Sequence, residues 1–285
     1  MKKGYIYSIL SAILFGSAGL FVKLAFVGGI DSISLLTLQY MIAVPLMFIL
    51  MYIFNKASFV ITKTQLFRLA VLGAVGNTFM TLLYYISFEY LPIPMVAILL
   101  YTYPLMVFIY STVFKKHSLS YKKLFAVLLA FFGCLLTLDI LTGNFKYSLK
   151  GVVFALLCAM FYAFMNIYSE EKLEGLEPLA INAYSTFFSL ICLMTYKFPI
   201  FVFKGEVSLR LLGYTAILAL FCEIIPLTLL YAAIKRIGSL KVSIIGNLEI
   251  PTAMLVSFFI LHEQIGYMQI IGTGLVVYAI YSIRK

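Results

Sequence analysis

The sequence predicts an all-α integral membrane protein of ten transmembrane helices, built as two inverted five-helix repeats. Three observations lead there. Of 285 residues, 64% are hydrophobic and only 11% charged, whereas a soluble domain carries roughly a quarter charged residues. Apolar stretches of about 20 residues, the length a bilayer core demands, recur from end to end between short polar breaks. The chain also matches itself at a constant offset of 147 residues, the kind of signal to read before any single motif.

Hydropathy and the polar breaks place helices near residues 4–26, 32–54, 67–88, 92–114, 121–140, 150–169, 179–200, 210–234, 240–261 and 265–283. The first follows Met1-Lys2-Lys3 like the start of a signal peptide. No small-residue cleavage site comes after it and further spans do, so it reads as a retained helix. With ten spans both termini share one side. If that side is cytoplasmic, fifteen of the 21 basic residues lie inside, among them Lys56, Lys63, Arg68, Lys115, Lys116, Lys172, Lys235, Arg236 and Lys241. That bias favours a cell-membrane protein with both termini in the cytoplasm. Two loops run against it: the sixth-to-seventh connection is acidic (Glu170, Glu171, Glu174, Glu177), and the seventh-to-eighth carries Lys197, Lys204 and Arg210. The net charge of +10 sits in such clusters and sets orientation, so nucleic acid is not expected as a partner.

The repeat is specific. Thr81-Leu82-Leu83-Tyr84 recurs as Thr228-Leu229-Leu230-Tyr231, Pro104 falls on Pro251, and the small-residue stripe Gly4, Ser8, Ala12, Gly16 falls on Gly151, Ala155, Ala159, Ala163. Residues 1–146 and 147–285 thus form the two units. Five spans per unit force the second copy to enter the bilayer upside down, the inverted-repeat architecture of many secondary transporters. Charges follow suit: Glu89 pairs with Arg236 and Lys116 with Glu263 in repeat position, the basic member inside in each case. The small stripes let neighbouring backbones approach closely.

The pattern resembles the drug/metabolite transporter superfamily, specifically its EamA-type ten-helix group. The residues that carry the likeness are Asn247-Leu248-Glu249-Ile250-Pro251, Leu261-His262-Glu263 and Gln269-Ile270-Ile271-Gly272, with the doubled Gly/Ala-rich first helix. Where that group's second helix often has an arginine, this chain has Gln39. The resemblance implies carriage of amino acids, related metabolites or drugs without ATP hydrolysis.

Charged groups at mid-membrane cost a few kcal/mol even on lenient scales, so each is a functional candidate. Two qualify. Glu223 lies about 12 residues, roughly 18 Å at 1.5 Å per residue, from either end of the eighth helix. Glu249 lies mid-way along the ninth. Pro226 and Pro251 follow closely, and a proline leaves the carbonyl four residues back without its donor, here those of Cys222 and Asn247. An acid beside a loosened carbonyl can hold a proton, a cation or an ammonium group. The competing reading keeps both acids protonated and hydrogen-bonded between helices. Asn77, Tyr84, Tyr101, Tyr103, Tyr162, Asn166, Tyr231 and Asn247 supply further polar groups at depth, the makings of a ligand pocket with few directional hydrogen bonds. Lys23 reads as snorkelling to the interface and Asp139 as interfacial.

Cys134, Cys158, Cys192 and Cys222 lack ligand spacing and His117 and His262 sit apart at helix ends, so neither a metal centre nor a bound cofactor is expected. There is no phosphate-binding loop, HExxH pattern or catalytic Ser/His/Asp set. No Lys or Arg sits at mid-depth to meet an anion. The expected substrate is a small polar solute, neutral, zwitterionic or cationic, exported by alternating access, with proton exchange as one role for the acids. Efflux of cationic drug-like compounds is the alternative; a membrane-embedded enzyme or a channel are the competing classes. Nothing in the sequence fixes an oligomeric state.

Overall fold

In a bilayer core every backbone polar group must be satisfied inside the protein, and helices do this segment by segment. The structure, a computed structural model, describes residues 2–26, 30–91, 93–114, 120–138, 148–204, 207–262 and 264–284. Among these it holds helices and no strand. Lys115, Lys116, His117, Asp139, Glu263 and the side chain of Lys23 lie outside the described residues.

Helices α1 (Lys2–Phe26) and α2 (Ser32–Phe54) are followed by a 3-10 turn and a rod made of α3 (Lys63–Val71), a π-helical segment Leu72–Asn77 and α4 (Thr78–Phe88). The rod starts four residues before the expected 67, because Thr62 and Gln65 form a capping box at its N-terminus. Then come α5 (Ile93–Leu100), α6 (Tyr103–Val113), α7 (Tyr121–Thr137), α8 (Leu149–Lys172), α9 (Pro178–Tyr196) and the short α10 (Ile200–Phe203). A second rod joins α11 (Leu209–Leu218), a π segment Ala219–Ile224 and α12 (Ile225–Ile237), followed by α13 (Ser239–Gly246), α14 (Glu249–Leu261) and α15 (Tyr267–Arg284). Among the described residues seven helices are long and apolar enough to cross a membrane, from Ile33–Phe54 to Ser239–Ile260, and Tyr267–Ile283 is a shorter apolar helix.

The backbone irregularities recur at the sequence offset. The two π segments are 147 residues apart, and the break at Tyr101-Thr102 between α5 and α6 answers, one residue out of that register, the break at Asn247-Leu248 between α13 and α14. Each break precedes a proline, Pro104 or Pro251, in the first turn of the following helix, where its missing N–H removes no helical bond. Packing is reciprocal in the same register. Helix α1 docks on α12, α13 and α14 of the second half, while α8, its counterpart, docks on α4, α5 and α6 of the first. Helix α2 pairs with α9, and α7 with α15. In that last pair Gly133 and Gly272 lie back to back, so a Cβ on Gly133 would stand 2.8 Å from the Gly272 carbonyl oxygen.

Polarity is turned inside out relative to a soluble domain. Phe54, Phe114 and Phe259 are 70–77% exposed, whereas Asn182, Ser185, Thr186 and Ser189 are wholly buried. Water would oppose the first set and lipid accepts it.

Candidate functional site

Glu223 sits on the π segment of the second rod and is 6% exposed. A π turn shifts the hydrogen-bond ladder and leaves main-chain acceptors open at its end. Here the carbonyls of Glu223 and Ile224 are both approached by Nδ2 of Asn182 from α9 at 3.4 and 3.2 Å, and the Pro226 carbonyl accepts from Ser11 on α1 at 2.8 Å. A π segment also occurs in the first rod, where Phe79 stands at the position of Pro226, so proline is not its cause. The carboxylate accepts from the Thr186 hydroxyl at 3.0 Å, and that hydroxyl also lies 3.0 Å from Asn182 Oδ1.

Glu249 opens α14 directly after the break and accepts from the Tyr101 hydroxyl at 2.6 Å, from the matching break in the first half. Two helix breaks thus meet through one phenol and one carboxylate. Gly16 makes room: a Cβ there would stand 2.5 Å from the Glu249 carbonyl oxygen and 2.7 Å from Thr252 Cβ. The Asn247 carbonyl, expected to be freed by Pro251, accepts from the Ile250 N–H at 3.3 Å. Asn247 itself points its amide back to Ser243 O (3.2 Å) and Ile244 O (3.1 Å) and takes the Cys134 thiol at 3.3 Å, so it braces the break from inside α13. Tyr103 donates to Ser243 O at 3.1 Å and stacks its ring at 4.3 Å on Tyr162.

Among the described residues no Lys or Arg side chain meets either acid, and the groups that donate to them, Tyr101 and Thr186, are neutral hydroxyls. The two sites are linked by aromatic groups. Tyr84, Tyr101, Tyr103 and Tyr162 lie within electrostatic reach of Glu249. Tyr40, Tyr85 and Tyr231 lie within reach of Glu223, and Tyr231 within reach of Tyr162.

Three of the polar groups expected at depth are buried with an unpartnered atom: Asn77 Oδ1, Asn166 Oδ1 and Tyr231 Oη. Each is at most 3% exposed. Their remaining bonds are local or weak, Asn166 Nδ2 to Tyr162 O at 2.9 Å and Asn77 Nδ2 to Ser185 Oγ at 3.4 Å. Orphaned buried polar atoms are uncommon and invite a ligand or water. Two hollows among the described residues lie away from the acids. One is an apolar groove of about 530 Å³ between α6 and α8, and the other, of about 160 Å³, lies beside Ser111, Lys123, Glu170 and Ser239.

Sequence reasoning missed the α9 contribution. Asn182, Ser185, Thr186 and Ser189 stand at i, i+3, i+4 and i+7, one helical face, and that polar stripe in an apolar run was the available signal. No group of His, Cys, Asp and Glu that could hold a metal occurs among the described residues.

Comparison with known proteins agrees with this architecture. The chain is 26% identical over 288 residues to the uncharacterized transporter YcbK of Bacillus subtilis (strain 168), covering 97% of this chain and 91% of the relative. A solved crystal structure superposes with a TM-score of 0.79 at 14% identity over 99% of this chain and 96% of that one, a likeness of fold. The model of the EamA-like transporter family matches twice, over residues 2–139 and 149–284. The chain therefore belongs to the EamA-like transporter family and is a multi-pass membrane transporter.

Proposed function

We propose that the chain is a gradient-driven carrier, not an enzyme, that exports a small neutral, zwitterionic or cationic solute across the cell membrane by alternating access. Its ten spans form two inverted units, 1–146 and 147–285, with both termini cytoplasmic. The inversion is supported by reciprocal packing and by contacts at one end of the bundle. Arg68, at the start of the first rod, reaches Lys172 O, and Lys235, at the end of the second rod, reaches Leu176 O. The start of one rod and the end of the other thus share an end, which puts Glu89 and its counterpart Arg236 at opposite ends.

The observation that carries the substrate class is that the buried Glu223 and the part-buried Glu249 face only hydroxyl donors. A buried carboxylate with no cation takes up a proton or a positive ligand. Glu249, at the meeting of the two helix breaks, is the primary group, and Glu223 the second. Asn77, Asn166 and Tyr231 offer the orphaned atoms that would complete a ligand's hydrogen bonds.

Counterflow of labelled amino acids and amines in proteoliposomes tests this. A carrier gives transient uphill accumulation that Glu249→Gln abolishes. Equilibration without overshoot would indicate a pore, and full activity in both Glu249→Gln and Glu223→Gln would remove the acids from the mechanism.

A further inference from the structure

The last turns of α8 are held by four other elements. Ser239, at the start of α13, donates to Glu170 Oε2 through its backbone N–H (3.1 Å) and through its hydroxyl. Tyr110 on α6 donates to Glu171 Oε2 at 3.0 Å, Arg68 on α3 to Lys172 O at 3.0 Å, and Lys235 on α12 to Leu176 O at 3.2 Å. The Glu170 contact has its own logic. The N-cap of α13 is Gly238, which offers no side chain, and open N–H groups at a helix start favour an anionic acceptor. Glu170 supplies it from a different helix. Gly238 has φ 82°, a conformation that side chains disfavour, and a Cβ there would stand 3.2 Å from Glu170 Oε1. The joint between α12 and α13 is shaped around that carboxylate.

The repeat tells whether the opposite end can do the same. At an offset of 147, Glu170 corresponds to Lys23, Ser239 to Pro92 and Gly238 to Leu91. Lysine has no acceptor and proline no N–H, so the bond cannot be made there. Glu171 corresponds to Leu24 and Lys235 to Phe88, so these clasps have no equivalent either. Two ends built on one scaffold differ in the chemistry that closes them.

We propose that Glu170 and Ser239 form a one-sided latch: the α8 carboxylate caps α13 and holds this end of the carrier shut, and the repeat positions at the opposite end lack the acceptor and the N–H that would form it. The latch biases the resting conformation and does not depend on what is carried. Ser243, wholly buried one turn into α13, lies behind it.

The test uses full-length protein in liposomes, with the native cysteines replaced and Ser243→Cys as reporter, labelled by a membrane-impermeant maleimide without substrate. Glu170→Ala and Ser239→Ala should each speed labelling, by about tenfold for Glu170→Ala, since charge-assisted bonds are the strong ones. The double variant should add little to Glu170→Ala. Glu170→Gln, which keeps an acceptor, should fall between parent and alanine, and it carries the test if Glu170→Ala loses its cooperative melting. Rates within twofold of the parent in Glu170→Gln and Ser239→Ala, or additive effects in the double variant, overturn the latch. Because labelling needs no substrate, that result is separate from a failure of counterflow.

Discussion

The two halves share a backbone and differ in chemistry. Each has a π segment and, after it, a helix break before a proline, yet the acids occur once: Gly76 stands where Glu223 would be and Thr102 where Glu249 would be. The irregular backbone therefore does not exist because an acid needs it. A duplicated scaffold supplies loosened helices twice, and charge was placed on one copy. The two halves meet at this acid, Tyr101 from the first half donating to Glu249 of the second at 2.6 Å.

The largest expected effect breaks this asymmetry directly. Glu249→Gln should lower the counterflow rate about a hundredfold, about 2.8 kcal/mol at 1.4 kcal/mol per factor of ten, while its repeat counterpart Thr102→Ala stays within twofold. Equal losses in both would make the halves chemically equivalent. Next is packing: Gly16→Ala pushes a Cβ into the Glu249 backbone and should cost about 1–3 kcal/mol in stability. The counterpart Ala163→Gly should cost about 1 kcal/mol through helix propensity. Thermal melting of the two variants measures the difference.

Sharper still is a sign prediction. Tyr231→Phe removes a buried hydroxyl that makes no hydrogen bond of normal geometry, although Ser185 and Asn77 lie beside it, so the ligand-free protein should melt at the same temperature or higher, by up to about 1–3 kcal/mol of relieved desolvation. Ligand affinity should nonetheless fall about tenfold. A loss of stability without ligand would mean that the hydroxyl is bonded and that the site is already filled by the protein.

The smallest effect is at an end of the bundle. Asp31 caps α2 and pairs with Lys197 at 2.6 Å. Burial alone raises its pKa, but hydrogen bonds from Lys197 and Ser34 outweigh that and hold it below 3.8. A lowered carboxyl stabilises the fold fully at neutral pH and loses that contribution as pH falls through the folded value. Both side chains are about half exposed, so the effect is screened. The melting difference between parent and Asp31→Asn should be small at pH 7 and shrink towards zero as the pH falls through the lowered folded value of the carboxyl.

Much of this was legible in the sequence, for physical reasons. The offset of 147 is echoed by the two matches of the family model, over 2–139 and 149–284, and acids inside apolar runs pointed to Glu223 and Glu249 as candidates because lipid makes such residues costly. The break at Tyr101-Thr102 was legible only in part: Pro104 marks a kink in the fourth apolar run and Tyr101 a polar group at depth, but the pairing of that phenol with Glu249 depends on the second half. The capping of α13 by Glu170 was hidden for a related reason: an acid 69 residues away supplies what the local sequence Gly238-Ser239 lacks. The α9 stripe was written in the spacing and passed over, because single hydroxyl residues in apolar helices usually bond to their own backbone.

Everything rests on two homologous bundles running through the bilayer in opposite senses. Glu89 and Arg236 occupy one repeat position and are both exposed. Cysteines placed there singly, in sealed vesicles of known sidedness, should react with an impermeant maleimide from opposite faces, residue 236 from the cytoplasmic one. Labelling of both from the same face would contradict the inversion and, with it, the carrier mechanism.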